Sequence, residues 1–177
     1  MKRLTWLLAA VAVFAGCGLL CGGGLVVTSL FGYPRPIQDR LDQRAMLRHF
    51  DLPTRLRLVE YEGYPAVVGF GQREGLNLRA VFQLTERQAE DLERRLVEDG
   101  WLPLPVPAET RRKLQGYVDP RTLALSAGLY QCRTAGNDVL RARETRPCAE
   151  ADWLNDAIFG AFDADTRRLH LQVGSGY

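Results

Sequence analysis

The sequence predicts an α+β fold class: an N-terminal transmembrane helix, then one small domain with a mainly antiparallel sheet and two to four helices. Three observations predict it. Residues 4–34 carry no charge. Residues 76–84 place apolar side chains at every second position, with Asn77, Arg79, Val81 and Gln83 between them, as a half-buried strand does. Strand-like runs fall in groups separated by helical stretches, rather than in strict alternation with helices, and that arrangement favours antiparallel pairing. The implied boundaries are 1–32 for the membrane anchor, 33–53 for a linker and juxtamembrane helix, and 54–177 for the soluble α+β domain.

The apolar run 4–31 holds about 28 residues, so a helix through it is roughly 42 Å long against a hydrocarbon core of about 30 Å. Secretory signals have an apolar region of only about 7–15 residues. Length therefore favours a retained signal-anchor over a cleaved signal, with membrane lipid as the partner of residues 4–31. Two alternatives stand beside it. Val13, Phe14, Ala15, Gly16 and Cys17 resemble a bacterial lipobox, which makes Cys17 a candidate lipidation site. Lipoproteins usually turn polar after that cysteine, whereas residues 18–30 here stay apolar. A signal-peptidase cut after Ala15 is the other alternative. Gly18 and Gly22 form a GxxxG pair, the spacing that lets two membrane helices approach and form a homodimer. The plainer reading is that glycine is common in membrane helices. Cys17 and Cys21 share a helical face, but no histidine accompanies them to make a metal site.

Orientation rests on two arguments. Lys2 and Arg3 form a short basic head before a long apolar run, which is the usual signal-anchor layout. Arg35, Arg40, Arg44 and Arg48 follow the run, and a simple positive-inside count slightly favours the reverse. Long domains translocate largely regardless of such charges. The expected location is the cell membrane, single-pass, with the C-terminal domain outside the cytoplasm, or lipid-anchored there if Cys17 is modified. The scarcity of lysine, only Lys2 and Lys113, points to GC-rich bacterial coding.

Beyond the anchor, Pro34 and Pro36 break the apolar helix. Residues 37–50 read as a helix ended by Asp51, Leu52 and Pro53. Strands are expected over 55–61 and 66–70, with Gly63 and Pro65 interrupting, and over 76–84. Thr85 and Gln88 form a capping box for the next helix. Its apolar stripe is Ala89, Leu92, Leu96 and Val97, its i,i+4 ion pairs are Glu90–Arg94 and Asp91–Arg95, and Gly100 stops it. The prolines of residues 101–107 favour an extended crossing, and residues 109–115 suit a short helix. Residues 128–134 and 139–145 read as a hairpin about the turn 135–138. A short helix over 153–159 and a last strand over 169–173 complete the series.

Charge narrows the function classes. The chain has 23 Lys+Arg and 21 Asp+Glu, and Lys2 and Arg3 precede the anchor, so residues 35–177 are formally neutral. A neutral domain carries no footprint for nucleic acid and no polybasic patch for anionic lipid. Cys132 and Cys148 are the only cysteines after the apolar run. In an oxidising compartment such a pair reads as one disulfide; in the cytoplasm it reads as two buried thiols.

Catalytic patterns are weak by comparison. His49 and His170 are the only histidines and lie far apart. Asp163 and Asp165 open like a calcium loop, but Arg167 and Arg168 occupy positions that such a loop gives to a ligand and a glycine. Ser126 lies in LALSAG rather than in a GxSxG elbow. Residues 69–75 carry GxGxxxG between strands, which suits a hairpin better than a phosphate loop. Glu60 and Glu62 have no partner identifiable from sequence. Tyr61, Tyr64, Phe70, Trp101 and Tyr117 fit either a recognition groove or a core. No cofactor is implied. The expectation is a non-enzymatic binding module of the bacterial envelope with an envelope protein partner; the alternative is an extracytoplasmic hydrolase built from His170 with Ser126 or a carboxylate.

Overall fold

A computed structural model describes residues 35–68, 72–136, 139–140 and 142–175, with side chains described for 39–63 and from 77 onward within that set. The apolar run 4–31, with Cys17, Gly18 and Gly22, lies outside the described residues. Among the described residues, no helix is long and apolar enough to cross a membrane. The chain divides into two compact units, Met1–Arg40 and Leu41–Tyr177. The described part of the first is the opening of helix α1 (Arg35–His49), with Pro36 tolerated in its first turn.

The second unit is an α+β domain on a mainly antiparallel seven-stranded sheet. Its strands are β1 (Arg57–Val68), β2 (Gln72–Gln83), β3 (Leu102–Pro103), β4 (Gly128–Thr134), β5 (Arg146–Pro147), β6 (Asp156–Asp163) and β7 (Arg168–Ser175), in the order β1-β2-β7-β6-β4-β3 with β5 beside β4. Three further helices are α2 (Glu86–Glu98), α3 (Ala108–Leu114) and α4 (Pro120–Leu123).

Strand alternation splits the interior in two. On one face, Leu78, Ala80 and Phe82 of β2, Ile158 and Phe162 of β6, and Leu169, Leu171 and Val173 of β7 meet Met46 and Phe50 near the end of α1 and Ala89, Leu92 and Leu96 of α2. On the other, Tyr130 and Cys132 of β4 and Ala157, Phe159 and Ala161 of β6 meet Leu104, Val106, Leu114, Leu123 and Cys148. Both helices of the first face end in the same device. After α1, Asp51 takes φ 50°, Leu52 N–H bonds to Leu47 O at 2.9 Å and Asp51 N–H to Arg48 O at 3.1 Å. After α2, Gly100 takes φ 76°, with Trp101 N–H on Leu96 O at 2.9 Å and Gly100 N–H on Val97 O at 3.1 Å. These are Schellman closures, and the left-handed position favours glycine. They turn Leu52 and Trp101 into the core, where the Trp101 and Phe50 rings lie 5.2 Å apart.

Several expected elements differ. The two strands expected before residue 71 are one strand, β1, whose register slips at Leu58/Glu60 and at Pro65/Val67. Residues 153–159 do not form a helix: β6 begins at Asp156, and every one of its residues is buried. A strand covered on both faces loses the period-two signal and reads like a buried helix segment. Instead of a second hairpin limb at 139–145, the short strand Arg146–Pro147 pairs with Thr134 and Arg133 of β4; β3 pairs at Leu129 and Tyr130 on the same edge, and β6 takes the other edge. Val97 is 59% exposed rather than part of the stripe. It stands one residue, or about 100°, beyond Leu96. In α2 the ion pair is Arg94–Asp91 at 2.8 Å, one residue tighter than expected, while Arg95 donates to Asp51 O. The capping box is present as expected, with Gln88 N–H on Thr85 Oγ1 at 3.4 Å and Thr85 N–H on Gln88 Oε1 at 3.0 Å.

Candidate functional site

A polar seam crosses the sheet face that carries α3 and α4. The β1–β2 register sets Glu62 opposite Arg79 and Glu60 opposite Val81. The β2–β7 register sets Arg79 opposite Gln172 and Val81 opposite His170. Period-two alternation therefore puts Glu60, Glu62, Arg79, His170 and Gln172 on one face. Glu60 and Glu62, without an identifiable partner in the sequence, both meet Arg79: its Nη1 lies 2.9 Å from Glu60 Oε2 and 4.0 Å from Glu62 Oε1. Asp119 Oδ2 approaches the same guanidinium, 3.7 Å from Nε. The cation that three carboxylates gather around is thus one of the protein's own side chains.

Gln172 fastens the opposite wall. It is buried, accepts from Asp119 N–H at 2.7 Å and donates to the Thr122 hydroxyl at 2.8 Å. Asp119 caps α4 through Arg121 N–H at 2.8 Å and pairs with the Arg121 guanidinium at 3.0 Å. That hydrogen bond is the main reason its carboxyl stays below the usual aspartate range. Gly174 admits the turn before α4, since a Cβ there would stand 2.5 Å from Tyr117 O. Tyr117 in turn donates its hydroxyl to Leu154 O.

Between seam and wall lies a cleft of about 730 Å³. Asn77, Arg79 and Gln172 line it from the sheet, Tyr117, Asp119 and Leu123 from the wall, with Glu62 and Arg111 also contributing. Its volume falls in the range of small-ligand sites, about 300–1,000 Å³. Arg79 Nε is buried and has no hydrogen-bond partner among the described residues.

His170 lies farther along the seam. Both ring nitrogens are enclosed and lack a hydrogen-bond partner among the described residues. Burial first, and then the nearby Arg79 charge, hold its pKa below the ordinary imidazole value. Ser126, its suggested partner in hydrolysis, is exposed, and no hydrogen bond joins the two. Asp163, the first residue of the calcium-like run, spends its carboxylate on the β6–β7 turn, accepting from Asp165 N–H at 3.1 Å and from Thr166 N–H at 3.4 Å. Among the described residues, no group of three or more His, Cys, Asp or Glu is placed to hold a metal ion.

Cys132 of β4 and Cys148 come to disulfide distance, their Cα atoms 5.4 Å apart across a sequence separation of 16. Both are buried. Of the aromatic set, Trp101 is core, Tyr61 is half-buried against it and Tyr117 lines the cleft. The side chains of Tyr64 and Phe70, and the centre of the 69–75 run, lie outside the described residues. The seam could be read only once β1 and β2 were known to pair; the usable signal is that Glu60, Glu62 and Arg79 sit at similar sequence distances from residues 69–71. No protein-family model, curated protein or solved structure matches this chain.

Proposed function

We propose that this chain is a membrane-tethered, extracytoplasmic binding module of a bacterial envelope, and that its domain holds a ligand or partner group in the Arg79 cleft without transforming it. The observation that carries this reading is the cleft itself. Its floor belongs to a sheet packed on both faces, and its charges are already committed to one another: Arg79 to Glu60 and Asp119, and Asp119 to Arg121. Such a surface offers shape and hydrogen-bonding atoms. A nucleophile needs a base within hydrogen-bond reach, and Ser126 and His170 do not supply that pair.

The tether is argued from the uncharged run 4–31, and the compartment from the pair Cys132–Cys148, which suits an oxidising environment. The run ending at Cys17 supports lipid anchoring as a second form of the same tether. Two measurements on protein taken directly from cells test this reading. Alkaline washing of membranes should leave the chain in the pellet; release into the wash overturns the tether. Labelled fatty acid incorporated in the native chain but not in Cys17→Ala selects the lipid form.

A further inference from the structure

We infer that the Arg79 cleft takes an uncharged, amide-bearing ligand, namely a peptide segment that presents an apolar side chain. This rests on reading the cleft as a binding site. Three observations select the class. The first is charge balance: the carboxylates of Glu60, Glu62 and Asp119 are matched by the guanidiniums of Arg79, Arg121 and Arg111 in and beside the cleft. A charged ligand would gain no net attraction there and would lose hydration. The second is the mixture of donors and acceptors. Asn77 and Gln115 line the cleft with side-chain amides, beside the Glu62 and Asp119 carboxylates. A peptide unit presents one carbonyl and one N–H, which answer both kinds of group. The third is the apolar wall of Val118, Pro120 and Leu123, which suits an aliphatic side chain.

The probes are four forms of one residue: N-acetyl-leucine amide, N-acetyl-leucine, leucine amide and free leucine. They carry no charge, a negative charge, a positive charge and both. The full chain, held in detergent micelles with ¹⁵N-labelled arginine, is titrated with each while the Arg79 Nε–H signal is followed. The diamide should shift that signal with millimolar affinity, and the charged forms should bind about tenfold more weakly or less. Ala124→Trp, an exposed cleft residue whose replacement leaves the core untouched, should abolish the shift while the remaining arginine signals stay in place. Equal binding of a charged form, no shift up to the solubility limit, or an unchanged shift in Ala124→Trp overturns the inference. None of these outcomes bears on membrane retention, so the tethered module and the ligand class fail separately.

Discussion

At the residue scale, His170 is the clearest case of chemistry constrained by packing. Its ring is enclosed between β2 and β6, facing Arg79 from β2, Glu60 from β1, Asp163 from β6 and Arg168 from its own strand. The folded-state pKa is depressed, so the unfolded chain binds a proton more readily. The stability that neutral His170 provides is complete above the unfolded value of about 6.5 and declines as pH falls from there toward the folded pKa. Urea midpoints at pH 7.5 and pH 5.5 should therefore differ, with the acid value lower, and His170→Leu should narrow the difference. Asp119, lowered mainly by Arg121, behaves likewise in a more acid window: its contribution is present above about 3.8 and fades below it. Arg79 is a second sensitive position. Arg79→Met leaves Glu60, Glu62 and Asp119 clustered without their cation and should cost about 1–3 kcal/mol. Glu62→Gln should cost under about 1 kcal/mol, because its carboxylate is 65% exposed and 4.0 Å from Arg79.

At the element scale, legibility followed exposure. Helix α2 was readable to within a residue because one face is solvated: its cap, its stripe and its closing glycine each leave a local mark. Strand β2, whose second face carries the polar Asn77, Arg79 and Gln83, showed its alternation. Strand β6 did not, because Phe159 and Phe162 are both fully buried, on opposite faces. The close approach that β6 makes to its neighbours was equally silent. A Cβ on Gly160 would stand 2.5 Å from Trp101 Cη2 and 3.2 Å from Phe50 Cζ. Gly160→Ala must displace both rings and should destabilise by about 1–3 kcal/mol. Leu96→Ala, at a position with no exposure, should cost about 2–5 kcal/mol by leaving a cavity. Both are read from denaturant unfolding curves. The seam lay beyond local reading for a different reason. It joins β1, β2, β7 and the residues before α4, and only pairing register brings Glu60, Arg79 and Asp119 together.

At the scale of the whole molecule, the sheet carries a core on each face, and the Cys132–Cys148 pair belongs to the second of these. It brings the middle of β4 beside the short 3₁₀ helix Cys148–Glu150, across a sequence separation of 16. In the chain-entropy account, a bond closing a loop of this length contributes about 3 kcal/mol. The double variant Cys132→Ala, Cys148→Ala should therefore unfold at lower denaturant than the native chain, and reductant should shift the native chain and leave the variant unmoved. Trapping with an alkylating reagent during lysis should find both thiols unreactive until reductant is added. The pair was legible as a candidate from residue count alone, since no other cysteine follows the apolar run. Its geometry required the fold, because β4 and the turn that carries Cys148 approach through packing that no spacing rule records.

The proposed setting, a domain outside the cytoplasm tethered through residues 4–31, is tested most directly by a reporter that is active only beyond the membrane. Fused after Tyr177, it should be active in living cells, and a reporter active only in the cytoplasm, fused at the same point, should be silent. The opposite pattern would contradict the orientation, the oxidising environment of Cys132 and Cys148, and the envelope setting of the cleft together.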